Sequence, residues 1–262
     1  MTKNNGKYAL ITGASQGLGY EFAKLAAQDG YNLVIVSRTK KKLDKVKKEI
    51  EKNYNVKVKV LVKDLAKPSS AGEIFSSLKK DKINVEMLIN NAGYARFGLD
   101  HKISLKDDLN LIHVDLMTPV KLTKLYLKLM VKKRSGMILN VASIAGFQPM
   151  PYFNSYGASK SFILNFSEAL YNELKGTGVH VTCVCPGVTK TGFIKRAKME
   201  KSRLTKQIIM KASTVAKEGY RAMLKRKRLC VPGIHNKFLS IVHKILPRPV
   251  ALRISRFVSG PY

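Results

Sequence analysis

Acidic residues are scarce in this chain of 262 residues, which carries 17 Asp and Glu against 48 Lys and Arg. The resulting formal charge of +31 attracts anions in general, from nucleic acid and acidic membranes to phosphorylated cofactors. The lysines are spread over nearly every predicted solvent face, whereas a dedicated nucleic-acid binder concentrates its cations. We therefore expect a generally lysine-rich surface and no specific nucleic-acid partner.

Cysteine is also scarce, with Cys183, Cys185 and Cys230 as its positions. The first two alternate in the run VHVTCVCP, so they face the same side of one strand and are too close along it to bridge. No cysteine or histidine spacing typical of a metal site occurs, so no metal is expected. Reduced thiols in a protein core are typical of the cytoplasm.

Long hydrophobic runs are missing, and no window offers the roughly 18 apolar residues that a membrane-spanning helix needs. The N-terminal sequence MTKNNGKYALITG has a basic start but lacks the apolar segment of a signal peptide. These features predict a soluble protein or one bound peripherally to a membrane. Hydrophobic residues still make up 45% of the chain, enough for a sizeable core.

Short apolar runs alternate with longer helical patterns along the chain. Most of these runs are continuously apolar, as in strands buried on both faces of a parallel sheet, whereas the third alternates with lysines and predicts an edge strand. The alternation predicts one α/β domain over residues 1–262, with a doubly wound parallel sheet of about seven strands and helices on both faces. The predicted strands are Tyr8–Ile11, Leu33–Val36, Val56–Val62, Met87–Asn90, Met137–Val141, Val179–Cys185 and Leu229–Val231.

A glycine-rich turn follows the first predicted strand, in the run YALITGASQGLG. Gly13, Gly17 and Gly19 let the backbone turn sharply and approach a pyrophosphate, while the helix that starts there directs free N–H groups at the anion. Such a turn alone is weak evidence, and a purely structural strand-to-helix turn is the alternative. Its position after the first strand of an α/β chain favours a dinucleotide site.

The second predicted strand ends in Val36-Ser37-Arg38, without the carboxylate that accepts the ribose hydroxyls of NAD. Arg38 lies where a cation can bind the 2′-phosphate of NADP, and Lys40, Lys41 and Lys42 add to the local positive field. NADP is therefore favoured over NAD. The alternative is that Arg38 is one surface cation among many.

The proposed chemistry depends on Tyr156 and Lys160, which lie four residues apart and share one face of a predicted helix running to Leu174. A nearby ammonium stabilises a phenolate and moves the tyrosine pKa toward the working range. Ser143 ends the preceding strand, where its hydroxyl can bind a carbonyl oxygen. The three residues together predict proton transfer to and from a carbonyl or alcohol.

These motifs in this order resemble the classical short-chain dehydrogenase/reductase family, with its Rossmann-type fold, over nearly the whole chain. TGASQGLG from Thr12 resembles the family's cofactor motif, and Asn90-Asn91-Ala92-Gly93 its sheet-stabilising motif. Ser143, Tyr156 and Lys160 match its catalytic residues, and Pro186–Thr191 its PG motif at the nicotinamide end. The resemblance implies cofactor contacts from Gly13, Ser15, Gln16, Gly17, Leu18, Gly19, Arg38, Asp64, Leu65, Asn91, Ala92, Gly93, Tyr156, Lys160, Pro186, Gly187, Val188, Thr189 and Thr191.

One departure from the family pattern is Asp115, within the triplet Val114-Asp115-Leu116, where an asparagine is usual. Ionised aspartate only accepts hydrogen bonds, whereas asparagine also donates them. Asp115 can hold the water that the asparagine holds, pair with Lys160, or signal altered chemistry. The last option favours a second hypothesis, an NADP-binding sensor with little turnover. The intact Ser143, Tyr156 and Lys160 favour the first, an enzyme acting on an apolar ketone, aldehyde or acyl compound.

Two further segments concern the substrate and partners. By the resemblance, residues 191–217 form a substrate lid. Residues 235–262 contain two basic amphipathic stretches separated by Pro247 and Pro249, which either lie on an anionic membrane or pack on the domain or a second subunit. The predicted helix Ser155–Leu174 is apolar on several sides, which predicts a homodimer or homotetramer.

Overall fold

The central element is a seven-stranded parallel sheet with the order β3-β2-β1-β4-β5-β6-β9. The computed structural model describes residues 6–262, apart from the side chains of residues 243 and 244. The strands of this sheet are β1 Tyr8–Thr12, β2 Asn32–Ser37, β3 Val58–Val62, β4 Val85–Asn90, β5 Gly136–Val141, β6 Val179–Val184 and β9 Leu229–Cys230.

Helices cover both faces of this sheet, because each face carries its own cluster of buried apolar side chains. Phe22 of α1 and Tyr220 of α8 belong to one cluster, and Leu122 of α5 and Leu170 of α6 to the other. The helices are α1 Gly17–Gln28, α2 Lys40–Asn53, α3 Ser70–Lys80, α4 Leu105–Ile112, α5 Thr118–Lys133, α6 Asn154–Glu173, α7 Phe193–Ala197, α8 Ala212–Leu224, α9 Ile234–Ile245 and α10 Arg248–Ser259.

The strand order reverses at β1, which pairs with β2 on one side and with β4 on the other. From β1 the chain adds β2 and β3 toward one edge of the sheet. It then returns and adds β4, β5, β6 and β9 toward the other edge. In open α/β sheets the loops at the carboxyl ends diverge at such a reversal and leave a crevice. The glycine-rich turn after β1 and the Asn-Asn-Ala-Gly segment after β4 both lie there.

The observed sheet confirms the predicted doubly wound parallel fold, and β3 lies at one edge as its alternating lysines predict. A second, two-stranded ladder was not predicted. It pairs β7, Thr189–Lys190, with β8, Met210–Lys211, and so joins the two ends of most of the predicted lid. The last residues of that segment, 212–217, instead form the first half of α8, where Val215 and Ala216 are buried.

The C-terminal stretches form two helices, α9 and α10, and Pro247 lies at the break between them, as the proline pattern predicts. None of the helices in the described part of the chain is long and apolar enough to cross a membrane. On α6 the ring of Phe162 is exposed and stacks on Phe166. The homodimer or homotetramer expected from that helix stays a prediction.

Candidate active site

A cavity of about 800 Å³ opens at the carboxyl ends of the strands, in the crevice where the strand order reverses. It brings together residues from distant parts of the sequence, including the turn after β1, the end of β2 and the loop after β6. Of the predicted cofactor residues, Gly13, Ser15, Gln16, Gly17, Leu18, Arg38, Asp64, Leu65, Asn91, Ala92, Gly93, Tyr156, Lys160, Pro186, Gly187, Val188, Thr189 and Thr191 line it.

The glycine-rich turn has the backbone conformation that its sequence predicts, since Gly13 and Gly17 have φ values of 68° and 61°. Gly19 differs from the other predicted cofactor residues because it does not line the cavity. A β-carbon at Gly19 would lie 2.4 Å from the carbonyl oxygen of Gly13. Glycine at this position therefore lets α1 pack tightly against the turn.

The loop after β4 braces this turn through hydrogen bonds. The Thr12 hydroxyl oxygen accepts from the backbone N–H groups of Asn91 and Ala92, each at 3.0 Å. The Asn91 side-chain amide donates to the carbonyl oxygen of Thr12 at 2.8 Å. These bonds hold open the cradle in which a pyrophosphate would meet the N-terminus of α1, so the residues present fit a dinucleotide.

The end of β2 carries positive charge into the same cavity. Arg38 is exposed and lines the cavity, as does Lys42, whose ammonium donates to the Gln16 side chain at 2.9 Å. Arg196 of α7 also lines the wall, and burial together with repulsion from Arg38 lowers its pKa. Converging cations without an acidic partner at the end of β2 are suited to a phosphate group.

Ser143, Tyr156 and Lys160 meet at the centre of the cavity. Ser143 lies just beyond the end of β5, where its hydroxyl donates to the carbonyl oxygen of Pro186 at 3.3 Å and lies close enough to the Tyr156 hydroxyl to lower the pKa of that tyrosine. The Lys160 ammonium lies 5.5 Å from the centroid of the Tyr156 ring. The first two turns of α6 thus place a phenol and an ammonium side by side beneath a serine hydroxyl.

Asp115 lies behind Lys160, outside the cavity wall. Its Oδ2 forms an ion pair with the Lys160 ammonium at 3.0 Å, and its Oδ1 accepts from the backbone N–H of Tyr94 at 3.0 Å. The side chains of Asp115 and Lys160 are 0% and 6% exposed, respectively. Of the alternatives that the sequence left open for Asp115, the structure shows the pairing with Lys160.

A π-helical turn at His113–Met117, between α4 and α5, places Asp115 in this position. Turns of this kind are often found at functional sites. The lysine ammonium has a further fixed partner, the carbonyl oxygen of Val141, at 3.1 Å. The Asp115 carboxylate and the Val141 carbonyl oxygen together therefore hold the Lys160 ammonium in place.

Burial dominates the proton equilibria of this centre. It raises the pKa of Tyr156 above its ordinary value, although Lys160 and Ser143 act to lower it. Burial raises the pKa of Asp115 and opposes ionisation of Lys160, whose pKa nevertheless ends above its usual value because Asp115 lies beside it. The ammonium alone predicts a lower pKa for Tyr156, but burial outweighs it and raises that pKa.

The sequence did not predict two further features of the cavity. One is Arg96, in the loop after β4, which lines the cavity and forms an ion pair with Asp107 at 3.2 Å. Arg96 also donates to the backbone carbonyl oxygen of Arg196 at 2.7 Å, and this bond connects α7 to the loop. The other feature is that α9 and α10 contribute to the apolar wall of the cavity. Its side chains are Met150, Phe153, Phe193, Ile194, Met199, Leu204, Leu239, Val242, Leu246, Ile254 and Val258.

The fold and motifs agree with one protein family. The sequence profile described as short chain dehydrogenase matches residues 7–202 of the chain. The chain belongs to the short-chain dehydrogenase family. Its fold agrees with this assignment, and the relatives that it resembles are named as reductases and dehydrogenases.

Similar proteins of known name include reductases and steroid dehydrogenases. The very-long-chain 3-oxoacyl-CoA reductase of Anas platyrhynchos is 30% identical over 95% of this chain and 78% of its own length. The 17-beta-hydroxysteroid dehydrogenase type 3 of Rattus norvegicus is 32% identical over 94% of this chain and 78% of its own. The Phaeosphaeria nodorum reductase, also named for very-long-chain 3-oxoacyl-CoA, is 38% identical over 72% of this chain, which spans only 57% of that protein.

Solved structures show the same architecture. A short-chain dehydrogenase from Sphingobium yanoikuyae, in complex with NADPH, superposes with a TM-score of 0.82 at 27% identity, covering 92% of this chain and 97% of the other. A 7beta-hydroxysteroid dehydrogenase superposes with a TM-score of 0.87 at 25% identity, covering 97% and 99%.

Proposed function

We propose that this short-chain dehydrogenase uses NADPH to reduce the carbonyl group of a long apolar substrate, of which a 3-oxoacyl thioester is the best candidate. The observation that carries the proposal is the convergence of Ser143, Tyr156 and Lys160 in one cavity with the glycine-rich turn and Arg38. A protein that only bound NADP would have no use for a half-buried phenol beside a buried ammonium.

Each residue of the centre has a role that its position supports. The Ser143 hydroxyl, at the end of β5, can donate a hydrogen bond to the substrate carbonyl oxygen and orient it. Tyr156 can donate its proton to the same oxygen as negative charge develops there. Lys160, held by Asp115 and Val141, stabilises the phenolate that remains. NADPH, when bound, would supply the hydride.

Because the pKa of Tyr156 is raised, the phenol is protonated at neutral pH, which is the form that reduction of a carbonyl requires. A tyrosine that keeps its proton at neutral pH is ready to act as an acid, whereas oxidation of an alcohol requires the phenolate as a base. Asp115 contributes to this balance because its negative charge also raises the tyrosine pKa. We therefore propose Asp115 as a positioning residue that acts through Lys160.

The apolar wall and the relatives agree on the class of substrate. Met150, Phe153 and Met199 belong to one buried cluster beside Tyr156, and α9 and α10 extend the wall beyond it. Burying each additional methylene of a chain contributes about 0.8 kcal/mol. A long acyl chain would use the whole length of this wall, which also accommodates the rigid rings of a steroid. Residues 191–211 would act as the substrate lid.

Turnover of NADPH with a series of ketones decides between an enzyme and a binding protein. The series should contain 3-oxoacyl thioesters of increasing chain length and a 17-ketosteroid at equal concentration. The proposal expects kcat/KM to rise with acyl length and to exceed the value for the steroid. Binding of NADPH without turnover of any carbonyl compound would favour the NADP-binding sensor, the hypothesis that the unusual aspartate at position 115 suggests.

Replacing Arg38 with Asp should weaken the binding of NADPH about ten- to a hundredfold, since a charge-assisted contact to a phosphate contributes roughly 1.5–3 kcal/mol. The affinity for NADH should change little or increase, because a carboxylate there can accept the ribose hydroxyls. Titration calorimetry with both cofactors measures this. Lys41→Asp is the matched control, because Lys41 is exposed and lies outside the cavity wall. Equal affinities of the unmodified protein for both cofactors would exclude Arg38 as a selectivity residue.

Replacing Asp115 with Asn should shift the alkaline side of the pH–rate profile for reduction to lower pH. The aspartate charge raises the tyrosine pKa, so its removal lowers the pKa and Tyr156 loses its proton earlier as the pH rises. The rate at neutral pH should stay within a few-fold, because asparagine keeps the oxygen that accepts from Tyr94. Asp108→Asn, the same change of charge on α4, serves as the control and should leave the pH profile in place. An unshifted limb in Asp115→Asn would show that the carboxylate does not act on Tyr156.

A further inference from the structure

The two C-terminal helices are amphipathic, but their large apolar side chains point outward. On α9, Ile234, Phe238, Ile241 and Ile245 are 85%, 67%, 56% and 77% exposed. They recur at intervals of three to four residues and therefore form one stripe along the helix. Phe257 on α10 is 66% exposed, and Val250 and Leu252 on the same helix are also exposed.

Several buried small and polar groups attach the inner faces of these helices to the protein. The hydroxyls of Ser255 and Ser259 on α10 donate to the carbonyl oxygens of Pro149 and Pro151 at 2.7 and 2.8 Å. On α9, Asn236 is buried and donates to the carbonyl oxygen of Pro232 at 2.7 Å. The hydrophobic effect would favour the opposite orientation if these helices only had to cover the protein, so their outer face requires an apolar environment from elsewhere.

Positive charge surrounds this apolar face. The sequence contains no Asp or Glu after Glu218, whereas Lys237, Arg248, Arg253 and Arg256 lie on the exposed parts of α9 and α10. Exposed apolar side chains beside cations, on helices too short to span a bilayer, are typical of segments that lie in the plane of a membrane surface. There the apolar residues enter the acyl boundary, and the cations meet anionic headgroups.

The same charges argue against a second copy of the chain as the covering partner. In a twofold-symmetric dimer the identical patch lies on both sides of the interface. Arg253, Arg256 and Lys237 would then face the same residues of the partner without an acidic residue on either helix to compensate them. A lipid surface supplies the opposite charge, whereas a second subunit supplies the same one.

We propose that α9 and α10 dock this protein on an anionic lipid surface. The docking surface consists of Ile234, Lys237, Phe238, Ile241, Ile245, Val250, Leu252, Arg253, Arg256 and Phe257. It continues into the cavity, because Leu239 and Val242 of α9 and Leu246, just after α9, line the cavity, and Ile254 lines it while remaining 42% exposed. An apolar molecule leaving the acyl layer at this surface would meet the cavity wall directly.

Flotation with lipid vesicles tests the docking surface. The protein is mixed with vesicles of phosphatidylcholine alone or with phosphatidylserine, and the floating fraction is measured at physiological salt. We expect binding to the anionic vesicles only. Phe238→Ser/Ile241→Ser should bind at least about tenfold more weakly, and Lys237→Gln/Arg253→Gln about tenfold more weakly. All four positions lie outside the cavity wall.

Matched variants separate the surface from the general charge of the protein. Leu105→Ser/Leu224→Ser removes two exposed apolar side chains from α4 and α8, and Lys79→Gln/Lys80→Gln removes two exposed charges from α3. Both should bind like the unmodified protein. Thermal unfolding confirms that every variant is folded, and NADPH binding gives a second check. Because flotation measures lipid binding and not turnover, the test does not depend on the proposed reaction.

Three results would overturn the proposal. In the first, Lys79→Gln/Lys80→Gln weakens vesicle binding as much as Lys237→Gln/Arg253→Gln does, and Phe238→Ser/Ile241→Ser has no effect. This result would indicate unspecific attraction by the charge of the whole protein. Another is absence of flotation by the unmodified protein. The third is a dimer in light scattering that becomes monomeric in Phe238→Ser/Ile241→Ser, which would show that a second copy covers this face.

Discussion

Replacing Tyr156 with Phe should lower the turnover of NADPH with a ketone by about 10²- to 10⁴-fold, the usual contribution of a positioned general acid. The change removes one hydroxyl from the centre and leaves the ring, which packs against Phe153 and Phe193 at centroid distances of 6.4 and 5.6 Å. The affinity for NADPH should therefore stay within about threefold, since the lost group acts mainly in the chemical step. Single-turnover kinetics and fluorescence titration measure the two quantities.

Tyr94→Phe is the matched control for this experiment. Tyr94 also lines the cavity, but its hydroxyl donates to the carbonyl oxygen of Asp107 at 3.3 Å, away from the reacting centre. We expect its turnover to stay near that of the unmodified protein. If Tyr156→Phe kept turnover within about threefold on a good substrate, the proton would have to come from another group, and the proposed mechanism would be wrong.

Replacing Lys160 with Met should destabilise the protein by about 3–5 kcal/mol at neutral pH, because it leaves the Asp115 carboxylate buried without its cation. Asp115 would then respond by holding a proton at higher pH in the folded state than in the unfolded chain. A group whose folded pKa is raised contributes stability at low pH that is lost as the pH rises. The free energy of unfolding of the variant should therefore fall from acid toward neutral pH, as urea denaturation at several pH values would show.

The double variant Asp115→Asn/Lys160→Met tests whether the ion pair causes this loss. Removing both charges leaves no unpaired ion, and asparagine still accepts from the backbone N–H of Tyr94, so the double variant should be more stable than Lys160→Met alone. Its stability should also lack the acid-to-neutral decline. Equal stabilities of the single and double variants would show that Lys160 supports the fold by its packing and not by its charge.

Most of the fold could be predicted from the sequence because the signals are local. Continuous apolar runs identify strands that are buried on both faces, and the alternating lysines of Val56–Val62 identify the edge strand β3. In such a sheet all the carboxyl ends meet at one edge, so motifs at the ends of strands are predicted to converge. One cavity is therefore lined by all of these motifs, as their order in the sequence implies: the turn after β1, the segment after β4, Ser143 and Pro186–Thr189.

The chemistry of the centre could be predicted only in part, because it depends on distances and burial. The sequence identifies Asp115 as unusual and names Lys160 among its partners, but only the π-helical turn determines that the two groups meet at 3.0 Å. Periodicity likewise cannot show how deeply Tyr156 is buried, and burial decides the direction of its pKa. Arg96 and Arg196 gave no signal, since each is one cation among many in the sequence.

The orientation of the C-terminal helices was beyond the sequence as well. A stripe such as Phe238, Ile241 and Ile245 shows that one face of a helix is apolar, but not whether that face meets the protein or the surroundings. The hydrogen bonds of Ser255 and Ser259 determine which face of α10 meets the protein. Their hydroxyls donate to the carbonyl oxygens of Pro149 and Pro151, which are more than 100 residues away in the sequence. No local pattern predicts a pairing between residues so distant in sequence.

The segment before α8 and helix α10 are joined by several bonds between residues 201–203 and residues 259–262. Ser202 forms an antiparallel bridge with Pro261 and donates its hydroxyl to the carbonyl oxygen of Ser259 at 2.8 Å. Arg203 donates its backbone N–H to Gly260 at 2.9 Å, and Tyr262 donates to Lys201 at 3.1 Å. Because these bonds would have to break for either part to move alone, we expect both parts to move together if the cavity opens on this side. Such collective motions take microseconds to milliseconds, slower than the motion of a free loop, and can therefore limit the rate at which product leaves.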